Sequence, residues 1–206
     1  MQIERVIITP FDTNTYILSD SGEAVIIDPG LMAEDILAKV PVDYKVKYVI
    51  LTHGHFDHIM AVSKIKAKTG CAVLIHEFDA PMLESAEKSL AAKYAIPQEN
   101  IAADRLLKEG DKISFGNISL TVIHTPGHTM GSVCFLKDDI LFSGDTLFLN
   151  TIGIYQRENK DIMQSSLKKL LALPENITVY PGHGEKTTIG QERIYNPYAK
   201  LNWEWE

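Results

Sequence analysis

The 206-residue chain has little of several residue types, and each shortage excludes a class of protein. It contains two cysteines, too few for a disulfide-stapled secreted domain. Cys71 and Cys134 both lie in apolar, strand-like runs, which predicts reduced, buried thiols, with a disulfide as the minor alternative. The 20 Lys and Arg residues against 27 Asp and Glu residues leave a net charge of -7, which disfavours a nucleic-acid-binding groove.

Long apolar runs are also missing. No stretch approaches the roughly 20 apolar residues that a membrane-spanning helix needs. Residues 1–6 lack the order of a signal peptide, in which a basic segment is followed by an apolar one. We therefore expect a cytoplasmic protein without membrane association. The sequence carries no signal of oligomeric state.

Apolar residues make up 45% of the chain, enough for a substantial core. No linker rich in proline, glycine or serine divides the sequence, so we predict one domain over residues 1–206. Two sets of strand-like runs are each followed by helix-like segments. This order predicts an α/β fold in which two sheets pack together with helices outside.

One stretch, Thr52 to His58, concentrates the chemistry of the sequence. Its pattern His-x-His-x-Asp-His follows an apolar run of strand composition and precedes a helix-like segment. A strand-loop-helix junction places such residues at the carboxyl end of a strand, where open α/β sheets hold their sites. Imidazole and carboxylate groups are ligands for Zn(II), Mn(II) and Fe(II), so we predict a metal site here.

The local spacing suggests how this loop presents its ligands. Gly54 is expected to let the backbone fold tightly enough for His53 and His55 to face one ion. Asp57 and His58 then fall at the start of a helix. The helix dipole there favours a carboxylate and a neutral imidazole, which is the form that binds metal.

Three further ligand-type residues each follow a strand-like run and a glycine. His128 follows Pro-Gly, Asp145 follows Ser-Gly, and His183 follows Pro-Gly. The recurrence predicts that one edge of a single fold collects all of these side chains.

The ligand set and its surroundings resemble those of a known family. They are similar to the metallo-β-lactamase-fold hydrolases, above all to the short glyoxalase II-like branch, in an order that spans nearly the whole chain. The resemblance implies an α/β fold of four layers, the αβ/βα sandwich, with the ligand loops at one edge. The further marks of the branch are residues 27–30 (IDPG), 124–129 (HTPGHT), 141–148 (LFSGDTLF), 180–184 (YPGHG), 187–193 (TTIGQER) and 196–197 (NP).

The resemblance also implies how the ligands divide. Two divalent metal ions, zinc first and Fe(II) or Mn(II) as alternatives, are held by two sets of side chains that share one carboxylate. The implied first set is His53, His55 and His128, the second set is Asp57, His58 and His183, and the shared carboxylate is Asp145.

The implied activity is hydrolysis of a small-molecule substrate, an S-acyl thiol conjugate such as S-lactoylglutathione. Two ions roughly 3.5–4 Å apart lower the pKa of a shared water to about 7, so that hydroxide attacks the carbonyl carbon. Asp57 is the candidate catalytic residue that orients this nucleophile or takes its proton. One alternative is a mononuclear Fe(II) persulfide dioxygenase using His53, His128 and Asp145, and another is a lactone or ester hydrolase of the same fold.

The sequence departs from the branch pattern after residue 148. The branch commonly has Gly-Arg-Thr-Asp where this chain has Gly-Ile-Tyr-Gln at residues 153–156, so the expected arginine is missing at Ile154. Tyr155 and Arg157 are the nearest candidates for substrate contacts. We therefore expect thioesterase chemistry with only loose selection of the thiol carrier.

Two assignments stay open. Asp28, in an Asp-Pro-Gly sequence, is either a turn-forming residue or a hydrogen-bond partner of a metal-bound histidine. Residues 77–104 read as helical and amphipathic, and they are either a cover over the site or an insertion packed on the sheet. His76 and His124 are left out of the ligand set.

Overall fold

A six-stranded sheet is built from the first half of the chain, within residues 1–200 that the computed structural model describes. Residues 201–206, the end of the predicted domain, lie outside the described part. The strands are Gln2–Ile8 (β1), Thr13–Asp20 (β2), Glu23–Ile27 (β3), Lys45–Ile50 (β4), Ala72–His76 (β5) and Arg105–Leu107 (β6). They follow one another across the sheet in sequence order; β1 to β3 pair antiparallel and β3 to β6 pair parallel.

The second half of the chain forms a second six-stranded sheet and a short hairpin. The strands are Lys112–Phe115 (β7), Ile118–His124 (β8), Val133–Lys137 (β9), Ile140–Gly144 (β10), Leu147–Phe148 (β11), Thr151–Ile152 (β12), Thr178–Pro181 (β13) and Thr187–Thr188 (β14). The sheet order is β14-β13-β10-β9-β8-β7, and β11 pairs with β12. Because β8 and β10 both run antiparallel to β9, and β13 runs parallel to β10, these three strands end at the same edge.

Five α-helices connect or follow these strands in the described chain. They are Ala33–Leu37 (α1), Phe56–Ile59 (α2), Val62–Thr69 (α3), Lys160–Leu171 (α4) and Ile189–Tyr195 (α5). The helix expected directly after the histidine-rich loop is present, but it is split into α2 and α3. Short 3-10 helices occupy Ala80–Met82, Ala92–Tyr94, Arg157–Asn159 and Pro197–Lys200.

The buried residues divide into three apolar clusters, which define four layers. One cluster joins α1 and α3 to the first sheet, a second lies between the sheets, and a third joins the second sheet to α4 and α5. Successive residues of one strand alternate between clusters: Val49 packs toward the helices and Ile50 toward the other sheet. The expected αβ/βα sandwich is therefore confirmed. Both cysteines are free and buried, as predicted.

The segment 77–104 differs from its predicted helical state. It contains turns and two 3-10 helices, and no α-helix. Leu90 and Ala95 have positive φ values of 69° and 54°, which an α-helix cannot contain. The segment has an amphipathic composition because one side of it is buried, including Leu83 and Ala91. This burial does not require a helix.

The topology brings the carboxyl ends of six strands to one edge of the sandwich. From the first sheet, β3, β4 and β5 end there in parallel; from the second, β8, β10 and β13 do so. Polar residues that follow these strand ends come close to one another at this edge, as described below. Among residues 1–200, no helix is both long enough and apolar enough to cross a bilayer.

Candidate metal centre

The loop between β4 and α2 carries the first of the predicted ligand residues. His55 is the residue before α2, and Asp57 and His58 lie in its first turn, as predicted. Gly54 does not have a left-handed backbone, although His53 and His55 on either side of it do lie together as predicted. Glycine is required at this position by packing, because a Cβ there would lie 2.6 Å from the Cβ of Met82.

Side chains of this loop meet side chains from the second sheet in two groups. His53, His55 and His128 place one potential ligand atom each within 4.8 Å of one another, and Asp57, His58 and His183 do the same. His55 Nδ1 lies 2.9 Å from His128 Nε2 in the first group. These are the two sets that the resemblance implies.

Asp145, at the end of β10, lies between the two groups. Its Oδ2 is 3.5 Å from His128 Nε2 and 3.6 Å from His183 Nε2, and its Oδ1 is 3.5 Å from His58 Nε2. Gly182 makes this approach possible, because a Cβ at that position would lie 2.1 Å from Asp145 Oδ1. The carboxylate therefore reaches nitrogen atoms of both groups.

Within residues 1–200, two buried side-chain atoms have no hydrogen-bond partner, His53 Nε2 and Asp145 Oδ1. A buried polar atom without a partner costs about 1–3 kcal/mol, so such atoms mark the place of a missing partner. One is an imidazole nitrogen and the other a carboxylate oxygen, and both belong to the converging groups. The donor chemistry therefore fits a divalent metal ion.

The histidines are oriented by contacts of their second ring nitrogen. His128 Nδ1 lies 2.6 Å from the carbonyl oxygen of Ile154, which can only accept, so Nδ1 carries the hydrogen and Nε2 keeps its lone pair. His58 Nδ1 lies 3.1 Å from Asp28 Oδ2, and His53 Nδ1 lies 3.1 Å from the Thr52 hydroxyl. Metal-bound histidines in proteins usually have such partners.

Asp28 shows the features of both of its proposed roles. Its backbone has a φ of 49°, as in a tight turn, and the residue is 1% exposed. Its carboxylate also accepts hydrogen bonds from the Thr52 amide and hydroxyl at 2.7 and 2.5 Å, besides facing His58. The turn thus places a carboxylate behind the histidine-rich loop.

The buried charges set opposite protonation tendencies within the cluster. Burial lowers the pKa of His53 well below 6.5 and that of His55 to about 4, which keeps both imidazoles neutral. Burial also opposes protonation of His58, but Asp145 and Asp57 outweigh it and raise its pKa well above 6.5. The nearby carboxylates thus act more strongly on His58 than the helix end does. The neutral imidazole expected for a metal ligand stays a prediction, since metal binding releases the proton.

Asp57 is held in its ionised form. Burial opposes ionisation, but His58 and His183 keep the pKa of its carboxyl group well below the usual range. The Thr13 hydroxyl, at the start of β2, donates to Asp57 Oδ2 at 3.1 Å. This oxygen also lies 3.3 Å from His183 Nε2, so its position is fixed from two sides.

A model of one protein family matches residues 8–183, from β1 through the last of these ligand residues. The chain belongs to the metallo-β-lactamase superfamily. The predicted resemblance is confirmed at this level.

Solved members of the superfamily and a curated relative cover almost all of the chain. BLEG-1, described as a B3 metallo-β-lactamase, has a TM-score of 0.89 at 35% identity and covers 96% of this chain and 99% of its own. TTHA1623 in a di-iron-bound form has a TM-score of 0.85 at 34% identity, with 95% and 99% covered. The hydroxyacylglutathione hydrolase GloC of Haemophilus influenzae is 34% identical over 96% of this chain and 98% of its own length.

A cavity of about 430 Å³ opens beside the cluster of this superfamily member. His55, Asp57, His128 and Asp145 form part of its lining. Of the two predicted substrate contacts, Tyr155 lines the cavity and Arg157 does not. The remaining lining residues are Phe11, Phe56, Leu90, Lys93, Tyr94, Ile154 and Gln156.

Sequence reasoning missed one buried carboxylate that connects the ligand loops. Asp79, just after β5, accepts hydrogen bonds from the amides of Gly54 and Gly131 at 3.0 and 2.8 Å and from the Thr129 hydroxyl at 2.7 Å. It thereby ties the His53–His55 loop to the loop of His128. A single aspartate after a strand resembles any turn residue, so no pattern marked it.

Proposed function

We propose that the protein is a metal-dependent hydrolase that cleaves S-acyl thiol conjugates such as S-lactoylglutathione. The observation that carries the proposal is the pair of unpartnered buried atoms, His53 Nε2 and Asp145 Oδ1, within two ligand groups beside a cavity. The relationship to a hydroxyacylglutathione hydrolase supports the choice of substrate class.

The proposed centre holds two divalent ions, with Asp145 shared between the two sets of ligands. Zn(II) is the first choice, and Fe(II) or Mn(II) also suit nitrogen and carboxylate ligands. When bound, such ions supply a water molecule of lowered pKa and a positive charge for the carbonyl oxygen. The proposed first set is His53, His55 and His128, and the second is Asp57, His58 and His183.

Asp57 is the proposed catalytic residue of the chain itself. It lines the cavity, it is ionised, and the Thr13 hydroxyl holds one of its oxygens at 3.1 Å. An ionised carboxylate in a fixed position can accept a hydrogen bond from the attacking water and orient it toward the carbonyl group.

The thiol groups do not offer a competing nucleophile. Cys71 and Cys134 are both buried, and burial raises the pKa of the Cys134 thiol to about 12. Neither lines the cavity. A cysteine-based acyl transfer would need a thiolate exposed to substrate.

The test combines elemental analysis with an assay of S-lactoylglutathione hydrolysis, in which the released free thiol is measured. We expect about two ions per chain. Asp145→Asn keeps the shape of the shared ligand but removes its charge, so activity should fall by at least about a thousandfold, comparable to the loss of ~4 kcal/mol of transition-state stabilisation. Circular dichroism should show the same fold in both proteins.

Asp43→Asn is the matched control, because Asp43 is an exposed residue remote from the cavity. It should leave metal content and activity unchanged. Activity of Asp145→Asn within threefold of the unaltered protein would refute the shared-carboxylate centre. One iron per chain together with oxygen consumption on glutathione persulfide would replace the proposal with the dioxygenase, and a higher kcat/KM for lactones would replace it with a lactonase.

A further inference from the structure

The cavity has two different ends. Its inner end is lined by ligand residues such as Asp57 and Asp145, and its outer walls are mostly apolar. One wall comes from residues 90–94 and a second wall from residues 154–156. If the acyl carbonyl of a thioester lies at the ligand residues, the thiol portion of the substrate extends toward the outer walls.

The wall at residues 90–94 is fixed to the ligand loop. The amide of Phe56 donates to the carbonyl oxygen of Ser89 at 2.9 Å, and the ring of Tyr94 packs 5.2 Å from the ring of Phe56. Leu90 is held at a φ of 69°, an uncommon backbone conformation for a branched residue. The backbone of this wall is therefore fixed against the loop that carries His55 and Asp57.

Lys93 is the only cationic side chain that lines this cavity in the described chain. Its ammonium group forms no ion pair with residues 1–200, and its Nζ lies 5.7 Å from the centroid of the neighbouring Tyr94 ring. On the second wall, Ile154 is 86% exposed at the position where the family resemblance leads us to expect arginine. Arg157 does not replace it, because it is not part of the lining.

We propose that Lys93 determines specificity by pairing with a carboxylate on the thiol portion of the substrate. This inference rests on the proposed thioesterase function. The substrate class is then an acyl ester of a small thiol that carries a carboxylate, with its hydrocarbon parts against Phe11, Leu90 and Tyr94. The cation that selects the carrier comes from the segment 77–104 and not from the loop after β12.

The pairing has a modest strength, because Lys93 is exposed at the mouth of the cavity. We compare hydrolysis of S-lactoylglutathione with that of the S-lactoyl ester of N-acetylcysteamine, a neutral thiol. Lys93→Ala should lower kcat/KM for the glutathione ester about fivefold, the factor equivalent to ~1 kcal/mol, mainly through KM. The neutral ester should change less than twofold, and Lys93→Glu should widen the difference.

Two controls separate charge from shape. Lys93→Arg keeps the cation and should retain at least half of the selectivity. Lys88→Ala removes an exposed lysine of the same segment that does not line the cavity, and it should change neither substrate. Raising the salt concentration to about 0.5 M should reduce the effect of Lys93→Ala, since screening weakens exposed ion pairs.

A binding measurement separates failure of this inference from failure of the proposed function. S-methylglutathione, which has no acyl group to lose, is titrated calorimetrically into the metal-loaded protein and into Lys93→Ala. We expect about fivefold weaker binding to the variant, whether or not thioesters are hydrolysed. Equal binding, or an equal loss of activity on both esters, would overturn the role of Lys93.

Discussion

Asp79 offers a test of how the two ligand loops are held together. The residue is fully buried and makes no contact with the cavity, yet its carboxylate accepts three hydrogen bonds. Gly54 and Thr129 donate to Oδ2, and Gly131 donates to Oδ1. These donors belong to two loops that each carry proposed ligands. We expect Asp79→Asn to loosen the first ligand set without touching substrate.

The magnitude follows from the number of donors. In asparagine, an NH2 group replaces one of the two carboxylate oxygens. In either orientation this NH2 group faces a backbone N–H, that of Gly54 or that of Gly131, so one buried donor loses its acceptor. That loss costs about 1–3 kcal/mol, and replacing a charged acceptor by a neutral one weakens the remaining bonds by roughly 1 kcal/mol in total. We therefore expect the free energy of unfolding to fall by about 2–4 kcal/mol, out of a typical total of about 5–15 kcal/mol.

The function should change in a way that simple destabilisation does not. Displacing the loop of His128 from that of His53 should weaken metal binding at the first set by roughly ten- to a hundredfold, as for loss of partners that orient ligands. The second set, with His58 and His183, should retain its ion. Excess metal should then restore most of the activity at a temperature where the variant is folded.

The assay is urea unfolding together with a chelator titration that follows metal loss. Glu77→Gln is the control, because Glu77 forms a surface ion pair with Lys108 at 3.4 Å two residues before Asp79. Exposed pairs contribute about 0–1 kcal/mol, so this variant should change little. Asp79→Asn and Glu77→Gln are compared directly in both titrations. If the two variants unfold at the same urea concentration and lose metal at the same chelator concentration, the connecting role assigned to Asp79 is wrong.

Two further predictions concern metal occupancy and acid stability. His55→Ala should release mainly one ion and His183→Ala mainly the other, and equal losses in metal analysis of both variants would contradict two separate sets. Burial and the neighbouring His124 lower the pKa of His76 to about 4 in the folded protein. The pKa of a histidine in an unfolded chain is about 6.5, so between about pH 4 and pH 6.5 the unfolded state binds the proton more readily than the folded state. The free energy of unfolding should therefore decrease as the pH falls from about 6.5 to about 4. In urea titrations, His76→Gln should reduce the slope of the free energy of unfolding against pH by up to about 1.4 kcal/mol per pH unit.

The convergence of the proposed ligand residues could be predicted because the same short order recurs along the sequence. His128, Asp145 and His183 each follow an apolar run and a glycine, and parallel strand ends must share an edge. The connecting residues were not predictable in the same way. Asp79 and Thr13 are isolated polar residues, and their importance depends on which loops the fold places beside them.

The failures of prediction share a physical cause, which is tertiary packing. Residues 86–94 have helix-forming composition, but Leu90 adopts a positive φ and the segment packs as turns against the ligand loop. Arg157 is close in sequence to the missing arginine at position 154. A 3-10 helix begins at Arg157, and its side chain lies outside the cavity lining. Neither outcome is encoded in local periodicity.

The residues proposed to hold the metal ions and those proposed to contact substrate lie on different parts of the fold. The ligand side chains follow strands whose other residues form the core, so moving them would cost packing energy across the sandwich. Leu90, Lys93 and Ile154 instead lie on surface segments whose changes leave the sheets intact. Substrate selection can therefore change through a few exposed positions while the ligand geometry is preserved. For this reason the walls of the cavity, and not the metal ligands, should distinguish this chain from relatives with other substrates.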